Sequence, residues 1–123
     1  MTVTFTAEDF AAQSNVSRET VGRLETYAAL LAKWQGRMNL VGPATVSDIW
    51  RRHFLDSAQL FPLLSSVDIE LLDFGSGAGF PGLVLSVMGV RSVHLVEANT
   101  RKCAFLREAA REIGANVRIH NAR

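Results

Sequence analysis

The stretch Leu71-Leu72-Asp73-Phe74-Gly75-Ser76-Gly77-Ala78-Gly79-Phe80-Pro81-Gly82 constrains the fold more than any other part of the chain. An apolar run, Ile69 to Phe74, reads as a buried strand. A glycine-rich turn follows it at once, and a helix is predicted over Phe80 to Met88, ended by Gly89. Glycines at 75, 77 and 79 remove Cβ atoms where a strand turns into a helix, so the backbone can take positive φ and press against a ligand. The open amides of the helix favour an electron-rich group in front of them. Pro81 falls near the first turn, where a missing N–H costs little.

The same alternation continues downstream. Ser92 to Val96 reads as a second strand closing at Glu97. Asn99 or Thr100 is placed to cap a helix that runs to Gly114, a C′ glycine. Val117 to His120 begins a third strand. The order β-α-β-α-β implies parallel strands joined by right-handed crossovers.

Upstream of Ser65–Ser66 the patterns are helical. Thr6, with Asp9 three residues on, forms a capping-box pattern for a short helix. Ser17 suits the N-cap of the next helix, in which Val21, Leu24, Ala28, Leu31 and Trp34 recur at three- and four-residue steps until Gly36. Asn39 to Pro43 reads as a loop. Ser47 or Asp48 starts a third predicted helix through Ile49, Trp50, Phe54 and Leu55, limited or kinked by Pro62. The expected fold is therefore α/β: an N-terminal helical subdomain, residues 1–66, then a partial Rossmann-like parallel sheet, residues 67–123.

Composition narrows the function classes. The chain is 48% hydrophobic and 20% charged, which is ordinary for a globular protein, and its net charge of +1 leaves any nucleic-acid contact to a local patch. A single cysteine, Cys103, permits no internal disulfide and fits a reducing compartment. Met1 to Phe10 carries Glu8 and Asp9 and no long apolar run, so neither a signal peptide nor a membrane anchor is expected, and the cytoplasm is the default.

Glu97 stands twenty residues after Gly77, at the end of the second strand, where such folds face the ribose of a nucleoside cofactor. Gly77 to Gly82 matches the dinucleotide fingerprint GxGxxG literally. The fuller pattern is Asp-x-Gly-x-Gly-x-Gly. A carboxylate at Asp73 would oppose a pyrophosphate and suits the cationic methionine end of S-adenosylmethionine. The residues thus favour a methyl-donor site over a dinucleotide site or a plain glycine turn.

The sequence resembles a known family, the 16S ribosomal RNA guanine-N7 methyltransferases, also called glucose-inhibited division protein B. The resemblance rests on DFGSGAGFPGL at Asp73 to Leu83, on Lys33-Trp34 with Asn39-Leu40, on Arg52-His53 with Leu55-Asp56-Ser57, and on Arg101-Lys102 with Phe105-Leu106. It covers nearly the whole chain. It implies a class I S-adenosylmethionine-dependent fold, methyl transfer to guanine N7 in small-subunit rRNA, and cofactor contacts at Gly75 and Phe80. By the same resemblance Asp73, Ser76, Gly77 and Gly79 shape the cofactor site and Glu97 binds the ribose. The family's sheet order is 3-2-1-4-5-7-6, and its members are longer. On that footing the chain reads as a fragment holding strands 3, 2 and 1, with weak cofactor binding and no turnover of its own. An open edge on the first strand would then invite a homodimer. A dinucleotide-dependent oxidoreductase and a non-catalytic interaction module are the alternatives.

Guanine N7 carries a lone pair and no proton, so the reaction needs positioning and desolvation rather than a general base. No catalytic residue is assigned, and the scattered histidines and single cysteine lack metal-ligand spacing. Cys103 reads as a buried structural thiol. His53 reads as structural, with contact to RNA phosphate or to Asp56 as the alternative. Arg51, Arg52 and Arg37 form either an RNA-facing patch or a solvated face paired to Asp48 and Asp56. Arg101, Lys102, Arg107 and Arg111, alternating with Glu108 and Glu112, read as a solvated face. Trp34 and Trp50 read as core anchors.

Overall fold

A computed structural model describes residues 4–123; the start of the N-terminal segment, Met1 to Val3, lies outside the described residues. The capping expected at the N-terminus is present. Thr6 accepts from the Asp9 N–H while Asp9 accepts from the Thr6 N–H, opening α1 (Ala7–Ser14). Ser17 accepts from the Thr20 N–H to open α2 (Arg18–Gln35).

The third predicted helix takes a different form. It is a composite of a 3-10 turn (Pro43–Asp48), a π-turn (Trp50–Leu55) and one turn of α-helix, α3 (Asp56–Ala58). Neither Ser47 nor Asp48 caps it: Pro43 sets its start and no side-chain cap bond is made. The wider π-turn lets Phe54 reach full burial while Trp50 packs edge-on against it at 4.7 Å. Pro62 lies in a further 3-10 turn, Phe61–Leu63.

The α/β part follows the expected order: β1 (Glu70–Phe74), α4 (Gly82–Met88), β2 (Ser92–Glu97), α5 (Thr100–Ile113) and β3 (Val117–Asn121). The strands are parallel in the order β1-β2-β3. Asn99, not Thr100, is the N-cap of α5, accepting from the Lys102 N–H at 3.0 Å, and Gly114 closes it with φ +67°. Helix α4 starts later than predicted, at Gly82, with Pro81 at its cap.

Register sorts the sheet into two unlike faces. Leu71, Val93 and Val117 align, as do Asp73, Leu95 and Ile119, and this face packs on α4 and α5. The opposite face carries Leu72, His94 and Arg118 in one row and Phe74, Val96 and His120 in the next. The expectation of a buried first strand is therefore corrected: Leu72 is 57% and Phe74 72% exposed, because among the described residues no helix covers that face and no strand pairs the outer edge of β1. His94 bridges the three strands, bonding Glu70 at 3.1 Å and His120 at 3.0 Å.

The helical segment is not a separate globule. α2 packs on both α4 and α5, and Phe10, Leu24, Tyr27, Leu31 and Phe54 share one apolar cluster with Leu83, Leu95, Phe105 and Leu106. Burying each such side chain contributes about 1.5–3 kcal/mol. Polar ties reinforce the seam. Arg23 donates from α2 to the Ile113 and Gly114 carbonyls at 2.6 and 2.9 Å, satisfying the C-terminal end of α5. Trp34 donates to Glu108 at 3.0 Å and packs on Phe105, so the reading of both tryptophans as packing anchors agrees with the structure.

Candidate cofactor site

The glycine turn leaves the C-terminal end of β1 and is tied to the end of β2. Gly75 and Ser76 both donate backbone N–H groups to the Val96 carbonyl, at 2.8 and 3.1 Å. Gly79 donates to the Ser76 carbonyl at 2.7 Å, and the Ser76 hydroxyl donates back to the Asp73 carbonyl at 2.8 Å. Ser76 is buried, so among the predicted site residues it shapes the turn from behind.

The glycines divide into two kinds. A Cβ on Gly75 would meet nothing within 4 Å, and one on Gly77 only the Gly75 carbonyl at 3.9 Å. Their missing side chains leave open space beside the turn. Gly79 and Gly82 serve packing instead. At Gly79, where φ is +98°, a Cβ would sit 2.6 Å from the Tyr27 hydroxyl and from Leu83. At Gly82 it would strike Leu95 and lie 2.9 Å from Asp73 Oδ2.

Glu97 closes the other side. One carboxylate oxygen accepts the Gly77 N–H and the other the Asn99 N–H, both at 2.8 Å. Burial works to raise this carboxyl. The Asn99 and Gly77 N–H groups, helped by Lys102, outweigh it and hold it below the usual glutamate value. Glu97 is therefore ionised, oriented from both sides, and still has lone pairs for further donors such as a ribose diol.

Asp73 is tied to the helix that follows the turn. Its Oδ2 accepts the Gly82 N–H at 3.0 Å, at the start of α4. Burial pushes its carboxyl above the usual aspartate value, against the pull of the Gly82 N–H. Phe80 leans away into the helical segment, stacked on Tyr27 at 5.3 Å and on His53 at 4.8 Å.

Sequence reading missed Tyr27. It is fully buried, its hydroxyl donates to the Ala78 carbonyl, and burial, then the Asp73 charge, keeps the phenol well above its usual value. The signal was present: Tyr27 lies between Leu24 and Leu31 on the same apolar row of α2. His53 bonds Thr45 at 2.7 Å rather than Asp56, and burial, then Arg52, lowers its pKa. Arg51 lies over the Phe5 ring, whereas Arg37 lines a different groove with Lys33, Trp34 and Glu108, so the three arginines are not gathered in one pocket. Arg111 pairs loosely with Glu108 and Glu112 on an exposed face. Cys103 is fully buried, donating to the Glu97 carbonyl at 3.3 Å.

A parallel sheet with an open glycine turn after its first strand and an ionised acid at the end of its second is the nucleoside end of a Rossmann-like α/β fold. Residues 20–123 match the family model GidB, described as rRNA small subunit methyltransferase G, and the chain belongs to that family. It is 62% identical over 118 residues to the ribosomal RNA small subunit methyltransferase G of Rhodospirillum rubrum, covering 96% of this chain and 59% of that protein. The protein of that name from Paramagnetospirillum magneticum is 60% identical over 116 residues, with 94% of this chain and 57% of the relative covered. The corresponding protein of Rhodospirillum centenum is 56% identical over 119 residues. The chain thus spans a little over half the length of these curated relatives.

Proposed function

We propose that this chain is the cofactor-binding part of a methyltransferase that moves the methyl group of S-adenosylmethionine to guanine N7 of 16S rRNA in the small ribosomal subunit. The observation that carries the reading is the pairing of Glu97 with the glycine turn. A carboxylate anchored on the Gly77 and Asn99 N–H groups stands at the end of β2, beside a turn in which a Cβ on Gly75 would meet nothing within 4 Å. The residues fit a nucleoside: Glu97 would accept the ribose hydroxyls, and Gly75 and Gly77 would admit the cofactor close to the backbone. Asp73 would favour its cationic amino-acid end, directly or through water. Bound there, the cofactor supplies an electrophilic methyl group. The acceptor nitrogen brings its own lone pair, so these residues bind, orient and exclude water rather than move a proton.

Two supporting readings belong with it. No described helix is long and apolar enough to cross a membrane, and we place the protein in the cytoplasm with its ribosomal substrate. The edge of β1 that no strand among the described residues pairs, beside exposed Leu72, Phe74 and Leu63, is an association template, and we propose that two copies of this chain pair there. Light scattering on a sizing column should show a dimer that Leu72→Lys with Phe74→Lys disperses; a clean monomer at high concentration would sink the dimer.

Isothermal titration of S-adenosylmethionine and of NADH, into this chain and into a version extended to the length of its relatives, tests the main reading. Heat from S-adenosylmethionine with the long form, and none from NADH with either, supports it. Binding of NADH, or no S-adenosylmethionine binding by either form, points to a dinucleotide enzyme or a non-catalytic module instead.

A further inference from the structure

We infer that Tyr27, on α2, is the positioning residue that selects one conformation of the cofactor loop; the inference deepens the methyl-donor reading and rests on it. Gly75, Gly77 and Gly79 hold φ of +70°, +54° and +98°. Glycine visits such angles and their mirror images with similar ease, so the loop's own sequence does not choose between them. The choice falls to the groups that tie it down. Val96 holds the Gly75 and Ser76 N–H groups, Glu97 holds that of Gly77, and Ser76 holds that of Gly79. All of these ties lie within the loop or on β2 and fix N–H groups.

The Ala78 carbonyl is tied from elsewhere. Ala78 is 4% exposed, and its carbonyl accepts from the buried Tyr27 hydroxyl. Among the described residues this is the one hydrogen bond that reaches the loop from the N-terminal helices. Rotation of the peptide between Ala78 and Gly79 would turn that carbonyl away and leave both partners buried and unpaired, which is costly. The Tyr27 ring stacks on Phe80 at 16° and Phe80 on His53 at 17°, so the residue that follows the loop is clamped by the same side chain. The absence of a Cβ on Gly79 is the complementary half of this contact.

The test is Tyr27→Phe in the full chain, which keeps the ring and removes the donor. Leu31→Ala, one turn along α2 and equally buried, controls for general loss of stability. Two readouts are compared: the amide NMR signals of Gly77, Ala78 and Gly79, and calorimetric binding of S-adenosylhomocysteine. Tyr27→Phe should shift the loop amides and weaken binding roughly tenfold, the loss expected for one buried partner. Leu31→Ala should lower the melting temperature and leave both readouts in place. Unchanged loop amides and affinity in Tyr27→Phe, or equal changes in Leu31→Ala, overturn the inference. Should the unaltered chain give no binding heat, the titration is made on the version extended to the length of its relatives, and the methyl-donor reading fails if that form is silent too. The loop amides then decide alone: moved signals support Tyr27, unmoved signals overturn it.

Discussion

At the scale of single residues, the two acids of the site respond to pH in opposite directions. Glu97 is held below its usual value, so its contribution to stability is present above the ordinary glutamate range and fades as pH falls through the lowered value. Glu97→Gln should flatten that acid limb in melting curves taken against pH. It should also weaken cofactor binding roughly tenfold or more, since the amide turns a donor toward N–H groups that need acceptors. Asp73 is raised, so its contribution is present below the ordinary aspartate range and is lost as pH rises through the raised value. Asp73→Asn can still accept from the Gly82 N–H without burying charge. It should melt higher at neutral pH than the parent while binding S-adenosylmethionine more weakly; a lower melting temperature would show that the charge itself is needed there. Gly79→Ala faces both strain and the Tyr27 hydroxyl and should cost about 2 kcal/mol or more in chemical denaturation. Asp73 and the glycines were legible because they form one local strand-turn-helix pattern, and Glu97 because it ends the next strand, which brings it to the turn from twenty residues away. For Tyr27 the apolar row of α2 marks burial, but its tie to the turn was not legible, because the partner lies fifty-one residues away.

At the scale of elements, capping chemistry was legible and burial was not. Thr6, Ser17 and Asn99 cap their helices through bonds that span three residues, which any reader of the sequence can find. Asn99→Ala removes the acceptor for the Lys102 N–H and should cost about 1 kcal/mol in denaturant midpoints. It should also loosen Glu97, whose second oxygen depends on the Asn99 N–H. The segment Pro43–Ala58 defeated the same reading: its departure from α-geometry answers to the packing of Trp50 and Phe54 against Phe10, made by another helix. β1 misled for a related reason. Its apolar composition describes a strand covered on both faces, and only the Leu71 and Asp73 side is covered here.

For the molecule as a whole, the parallel pairing was readable from the alternation of strands and helices, and the order β1-β2-β3 from the family resemblance. What the linear pattern concealed is how far the helical segment shares the core of the sheet. Since α2 packs on α4 and α5 and Arg23 holds the end of α5, we propose that residues 1–66 and 67–123 unfold together. Both tryptophans lie in the first part, whereas among the described residues all strands lie in the second. Fluorescence and far-ultraviolet circular dichroism should therefore report one coincident transition in urea, and separated midpoints would show two independently stable units.

Cys103 offers a way to time such motions without altering the protein. Its sulfur is sealed beneath α5 against the Glu97 carbonyl, and burial, against the pull of Arg107 and with the Glu97 charge, raises the thiol pKa. A thiol reagent can react only during excursions that lift α5 from the sheet. Its consumption becomes a clock whose ticks are openings of the wall behind Glu97, and a ligand seated on Glu97 should slow that clock in proportion to its occupancy.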